Sequence, residues 1–132
     1  MSISDTETQA TDFDRWLAAE FARSGAFTAL VVLVSIGAGH AVPLCSTYFH
    51  VTGIEADWPE MVLLFAGAGR EWNAAGFFPM AVAGGGALDN PTARLCLQKL
   101  EASLDADPAE LYEGHFFDTG GKQLEIGETP PQ

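Results

Sequence analysis

The apolar positions of this chain change period along its length, and the changes mark out its elements. Between 11 and 24, Phe13, Trp16, Leu17 and Phe21 recur every three or four residues, the stripe of a helix that buries one face. Thr11 or Asp12 can cap its start, because a side-chain oxygen there accepts a bond from a free backbone N–H. Ser24-Gly25 ends it, since glycine enters the left-handed conformation without a Cβ clash. The helical period then stops. AFTALVVLVSI, 26–36, is apolar on both faces and rich in β-branched residues, which predicts a central strand covered on both sides.

Three further β-rich runs follow. AVPLCSTYFHV, 41–51, is a second strand, and Pro43, which cannot donate to a ladder, pushes that end toward a sheet edge or bulge. TGIEADWPE, 52–60, reads as a loop. EMVLLFA, 60–66, and GFFPMAVA, 76–83, read as the third and fourth strands. The helical period returns after Gly84-Gly85-Gly86. Asn90 is the expected cap and Pro91 the first helical residue of a helix with Ala93, Leu97, Leu100 and Leu104 on its apolar face. Arg94, Gln98, Glu101 and Asp105 form its wet face. Asp107-Pro108-Ala109-Glu110 has capping spacing and predicts a short helical turn. The expected class is α+β: a four-stranded antiparallel meander of two hairpins, flanked by an N-terminal and a C-terminal helix. Residues 11–117 form the single domain, between a polar, frayed 1–10 and a flexible acidic tail, 118–132, with a brief strand near Leu124–Ile126.

Two stretches thirty positions apart share letters. VVLVSIGAGH, 31–40, and MVLLFAGAGR, 61–70, match at Val32 and Val62, Leu33 and Leu63, and through Gly-Ala-Gly. A nucleotide-binding loop needs a strand, a third glycine and a helix immediately behind. Here Val42 stands at the third glycine and Pro43 follows, so no dinucleotide cofactor is expected. The alternative is that both glycine motifs are places where extended chain turns back, one hairpin design used twice. In a meander those turns share one rim, which gathers His40, Arg70, Glu71, Trp72 and Asn73.

Charge alters the picture more than composition does. Eighteen acids against six bases give a net charge of −12. The acid lies at the two ends: five acids against two arginines in 1–23, and eight against Lys122 in 101–132. Such a field repels phosphates and excludes direct nucleic-acid binding, while favouring a basic protein partner. From 24 to 54 there is no charged residue, 31 positions in all, which is long enough for a membrane span over 25–44. The glycines, His40 and Pro43 that follow the apolar core of that stretch expose backbone and speak against a span. The acidic N-terminus carries no secretory pattern, and Cys45 and Cys96 form no C-x-x-C pair, so a reducing cytoplasm is the expected compartment.

The chemistry is sparse. His40, Cys45 and His50 give H-x4-C-x4-H, but on a strand Cys45 points away from the other two, and no metal is expected. His40, Arg70 and Glu71 could together hold an anion and move a proton, which makes their rim the place for a small-molecule enzyme site, though no nucleophile accompanies them. Trp58, Trp72, Phe77 and Phe78 are large aromatics beside glycine-rich segments, the residue types that dominate interfaces, and Trp72 beside Arg70 is the first candidate contact. The expected function is therefore a non-catalytic acidic protein-binding module for a basic partner, with Trp58, Arg70, Glu71, Trp72, Phe77, Phe78 and His40 as its binding residues. A homo-oligomeric structural subunit is the alternative, and the enzyme a second one.

Overall fold

The computed structural model describes residues 11–37, 40–53 and 57–124. Helix α1 (Asp12–Ser24) opens with Thr11, whose hydroxyl accepts the Asp14 N–H while the Asp14 carboxylate accepts the Thr11 N–H, each at 3.0 Å. Gly25, at φ 74°, ends it. Strand β1 (Phe27–Gly37) follows and turns into β2 (His40–Val51), to which it pairs antiparallel along its full length. The register slips between Leu33 and Val34, so that Leu33 faces Cys45 and Val34 faces Pro43, with Leu44 bulged out. Pro43 thus sits at a bulge on an edge strand, where a missing N–H costs no ladder bond.

Strand β3 (Ala74–Met80) pairs with the other side of β1, also antiparallel. Strands β2 and β3 therefore run the same way on either side of β1. A hairpin cannot make that connection; the chain must cross a face of the sheet. The crossing element is helix α2 (Trp58–Ala66), where the sequence pattern predicted a third strand at 60–66. Asp57 caps it by accepting the Glu60 N–H at 3.1 Å, and Pro59 fits its first turn. Trp58, Met61 and Phe65 are buried on one side, a helical spacing, while Leu63 stays 74% exposed. The shared letters of 31–40 and 61–70 thus fold differently. The first copy is a strand entering a hairpin. The second is a helix whose last turn runs into Gly67 and then Gly69, at φ 69°, before extended chain leads to β3. Neither copy is followed directly by a helix.

Helix α3 (Asn90–Ala106) is capped by Asp89 rather than Asn90, through the Thr92 N–H at 2.7 Å. The carboxylate accepts better than the neutral amide one position on, and Asn90 is used elsewhere, in a 2.7 Å bond to His50. A 3-10 helix (Pro108–Glu113) follows, then β4 (His115–Asp118) and β5 (Gln123–Leu124). The sheet has five strands in the order β2-β1-β3-β4-β5, all antiparallel. The segment assigned to a loose tail from 118 is paired as far as Leu124, and the predicted strand near Leu124–Ile126 is present in its described part. Residues 125–132 and the polar 1–10 lie outside the described residues, and β3 ends at Met80 rather than at 83. The α+β class, the antiparallel sheet and the two flanking helices are as the pattern predicted.

Both faces of the sheet are covered. Odd-numbered positions of β1 (Phe27, Ala29, Val31 and Leu33) meet α1 and α2 through Phe13, Leu17, Met61 and Phe65. Even-numbered positions (Leu30, Val32 and Val34) meet α3 and the 3-10 helix through Leu104 and Leu111. Thr28 is fully buried among them, and its hydroxyl is satisfied twice. It accepts the Leu88 N–H at 2.8 Å and meets His50 Nδ1 at 2.9 Å. With Nε2 on the Asn90 carbonyl oxygen, His50 takes the tautomer that donates from Nε2 and accepts at Nδ1. That chain pins the start of α3 to the first two strands.

Candidate functional site

The rim expected from the meander survives the change of topology. Asn73 bridges to the end of β1, accepting the Ile36 N–H at 2.8 Å and donating to the Ile36 carbonyl at 3.0 Å. The 70–73 segment and the β1–β2 turn therefore share one end of the sheet. Arg70 and Glu71 project from it into solvent, and neither lines any of the clefts described below. The His40 side chain lies outside the described residues.

The aromatic candidates separate. Trp58 is 4% exposed, with its indole N–H donated to the Thr119 carbonyl at 2.9 Å. Phe77 is fully buried and Phe78 nearly so. Trp58 and Phe77 belong to the core under α1 and α2 and Phe78 to the core under α3, which leaves little of the three side chains for a partner. Trp72 is only partly buried, edge-on to Phe65 at 5.3 Å and to Trp58 at 6.3 Å. Of the predicted binding residues, Arg70, Glu71 and Trp72 have described side chains that reach solvent at one place.

Metal and thiol chemistry find no assembled group. Cys45 packs toward α2 with Leu33, whereas His50 lies on the α3 face with Thr28. Among the described residues, no three His, Cys, Asp or Glu side chains are gathered to hold a metal ion. Cys45 and Cys96 are free and pack on opposite faces of the sheet. The described part of the uncharged 24–54 stretch is mostly strands β1 and β2, and among the described residues no helix is long and apolar enough to cross a membrane. Two carboxyls are held below the usual carboxylate range by structural bonds. For Asp12 the backbone N–H of Gln123 is the main cause, with Arg15 adding to it. For Asp89 it is the Thr92 side chain and then the Thr92 N–H.

Sequence reasoning put the Pro43 end of β2 toward a sheet edge but named no site along that edge. Among the described residues, no strand pairs with that side. The strand is 12 residues long and carries no Asp, Glu, Lys or Arg. The opposite edge, β5, has two described residues. Clefts lie on both faces of the β2 edge. On the α2 side, a cleft of about 200 Å³ is lined by Cys45, Thr47, Leu64, Phe65 and Ala68. On the α3 side, one of about 210 Å³ is lined by Pro43, Leu44, Ser46, Glu101 and Asp105. The wet face of α3 thus runs beside this edge. The Glu101 carboxylate accepts the Ser46 hydroxyl, and Arg94 reaches the Tyr48 hydroxyl at 3.4 Å. The missing charges in 40–51 and the four-residue spacing of Glu101 and Asp105 were visible in the sequence; that they meet is a product of the strand order.

No family model matches this chain, and neither the curated proteins nor the solved structures contain a match.

Proposed function

We propose that this protein is a non-catalytic acidic module that binds a basic protein partner. The observation that carries the reading is the charge: −12 on 132 residues. Most of the acids have no base to pair with, eighteen standing against six. Arg15–Asp12 and Arg23–Glu20 are the two pairs among the described residues, while Glu71, Glu101, Asp105 and Glu110 are exposed. A field of one sign speeds encounter with a basic surface and is screened by salt. The test is affinity capture on the immobilised protein at low and at high salt, with the captured species identified and its stoichiometry measured. A basic protein held in fixed ratio at low salt, with an association rate that falls as salt rises, is the expected result. Capture of no macromolecule at low salt ends the reading.

A homo-oligomeric subunit is favoured by a different observation, the exposed leucines of α2. Leu63 is 74% and Leu64 48% exposed. A seal between copies would explain both. Sedimentation at two protein concentrations separates the two readings.

A further inference from the structure

We propose that the outer edge of β2 is a docking strand, and that its occupant is an extended segment of the basic partner in which apolar and basic side chains alternate. The proposal rests on the binding-module reading above and adds the mode of binding. Edge strands of soluble proteins are usually blunted by lysines, prolines, bulges or shortness. Here Pro43 and the Leu44 bulge blunt one end only. From 45 to 51 the strand is regular and uncharged, with its outward N–H and C=O groups facing no described strand. Such an edge supplies main-chain hydrogen bonds to any extended peptide, and the flanking surfaces select its side chains.

Those surfaces differ in chemistry. Alternate side chains of an added strand point to opposite faces of the sheet. One set enters the cleft bordered by Leu64, Phe65 and Ala68, which takes apolar groups. The other set meets Glu101 and Asp105, one helical turn apart on α3, which take lysine or arginine. Charge complementarity chooses this occupant over a second copy of the chain. β2 itself offers no base, and two molecules at −12 repel on approach. Thr11 and Leu124, the last described residues, lie together at the far edge, where the Asp12 carboxylate accepts the Gln123 N–H at 2.9 Å.

The experiment titrates the full chain with three synthetic peptides: alternating valine and lysine, alternating valine and glutamate, and the valine-lysine peptide N-methylated at alternate amides. Valine-lysine is expected to bind at least tenfold more tightly than either of the others. The double variant Glu101→Gln with Asp105→Asn is expected to weaken it by a similar factor, while circular dichroism stays unchanged. Equal binding of the N-methylated peptide overturns strand addition, because side-chain attraction alone then suffices. Binding indifferent to the Glu101/Asp105 variant overturns the assignment of the basic side chains. A concentration-dependent dimer that excludes the valine-lysine peptide makes a second copy the occupant and also overturns the proposal. If a basic partner is captured from extract while all three peptides fail, the docking mode falls and the binding-module reading stands.

Discussion

Gly76 offers a sharp test of how the sheet is packed. It lies in β3 opposite Phe116 of β4, and a Cβ built there would stand 2.5, 2.6 and 3.0 Å from three carbons of the Phe116 ring. Non-bonded carbons rest about 3.5–4.0 Å apart, so the ring would have to retreat by about 1 Å. It has no room to do so. Phe116 is 2% exposed and belongs to the core that includes Leu30, Val32, Leu104 and Leu111. Overpacking of this kind costs about 1–3 kcal/mol. Replacing glycine also stiffens the unfolded chain, which stabilises by about 0.4–1 kcal/mol. The clash wins, and Gly76→Ala is expected to destabilise by about 1–2 kcal/mol. With an unfolding entropy of about 2.1 cal/mol/K per residue, that lowers Tm by roughly 4–7 °C in a domain of this size. Calorimetry measures it, and a double-mutant cycle with Phe116→Leu assigns the cause: the smaller side chain should relieve the clash, leaving the two changes non-additive. Gly114, at the end of the 3-10 helix just before β4, meets the ring of Phe78 in β3 in the same way, with 2.7 Å between the built Cβ and the ring. A Gly76→Ala protein as stable as the parent, or strict additivity in the cycle, would refute this packing.

Three further outcomes follow from named contacts. Thr28→Val leaves the buried Leu88 N–H without its acceptor and should cost about 1–3 kcal/mol in urea unfolding; a neutral result contradicts the Leu88–Thr28–His50 chain. In α2, Met61→Ala should cost about 2–5 kcal/mol whereas Leu63→Lys stays within about 0.5 kcal/mol of the parent. Equal damage from both would place the two side chains on one face, as a strand at 60–66 requires. The folded-state pKa values of Asp12 and Asp89 lie below their unfolded values near 3.8, so the stability they give is present above that pH and is lost as pH falls through the folded values. Asp89→Asn keeps a capping acceptor but removes one titration, so its stability should fall less steeply with acid below that pH. An unchanged slope denies Asp89 a share in the acid dependence.

The elements that could be read from the chain are those whose local pattern and final environment agree. β1 is apolar on both faces because both faces are covered, and Pro43 marks an edge and a bulge because it can donate to no ladder. α1 and α3 carry their stripes openly, although the cap of α3 is Asp89 and not the expected Asn90. α2 was misread because MVLLFA is apolar enough for a strand, and its helical signal lay further out, in the Trp58, Met61, Phe65 spacing and in Asp57 and Pro59. The β4 strand, HFFD, is too short to show a period; pairing with β3 makes it a strand. Topology was the larger loss. Placing β3 beside β1 leaves β2 at the rim of the sheet, and beyond Pro43 no local feature of 44–51 encodes which neighbour it lacks. For the same reason Trp58, Phe77 and Phe78 looked like contact residues: aromatics near glycines have one signature whether the fold turns them inward or out.

The most direct measurement is residue-resolved amide hydrogen exchange along β2 in dilute protein, before any partner is added. An open edge leaves every second amide bonded to β1 and the ones between them facing water. Protection should therefore alternate through 45–51, and the valine-lysine peptide should slow the fast set. Uniformly slow exchange through that stretch would mean that the edge is already paired, and the docking strand would not exist.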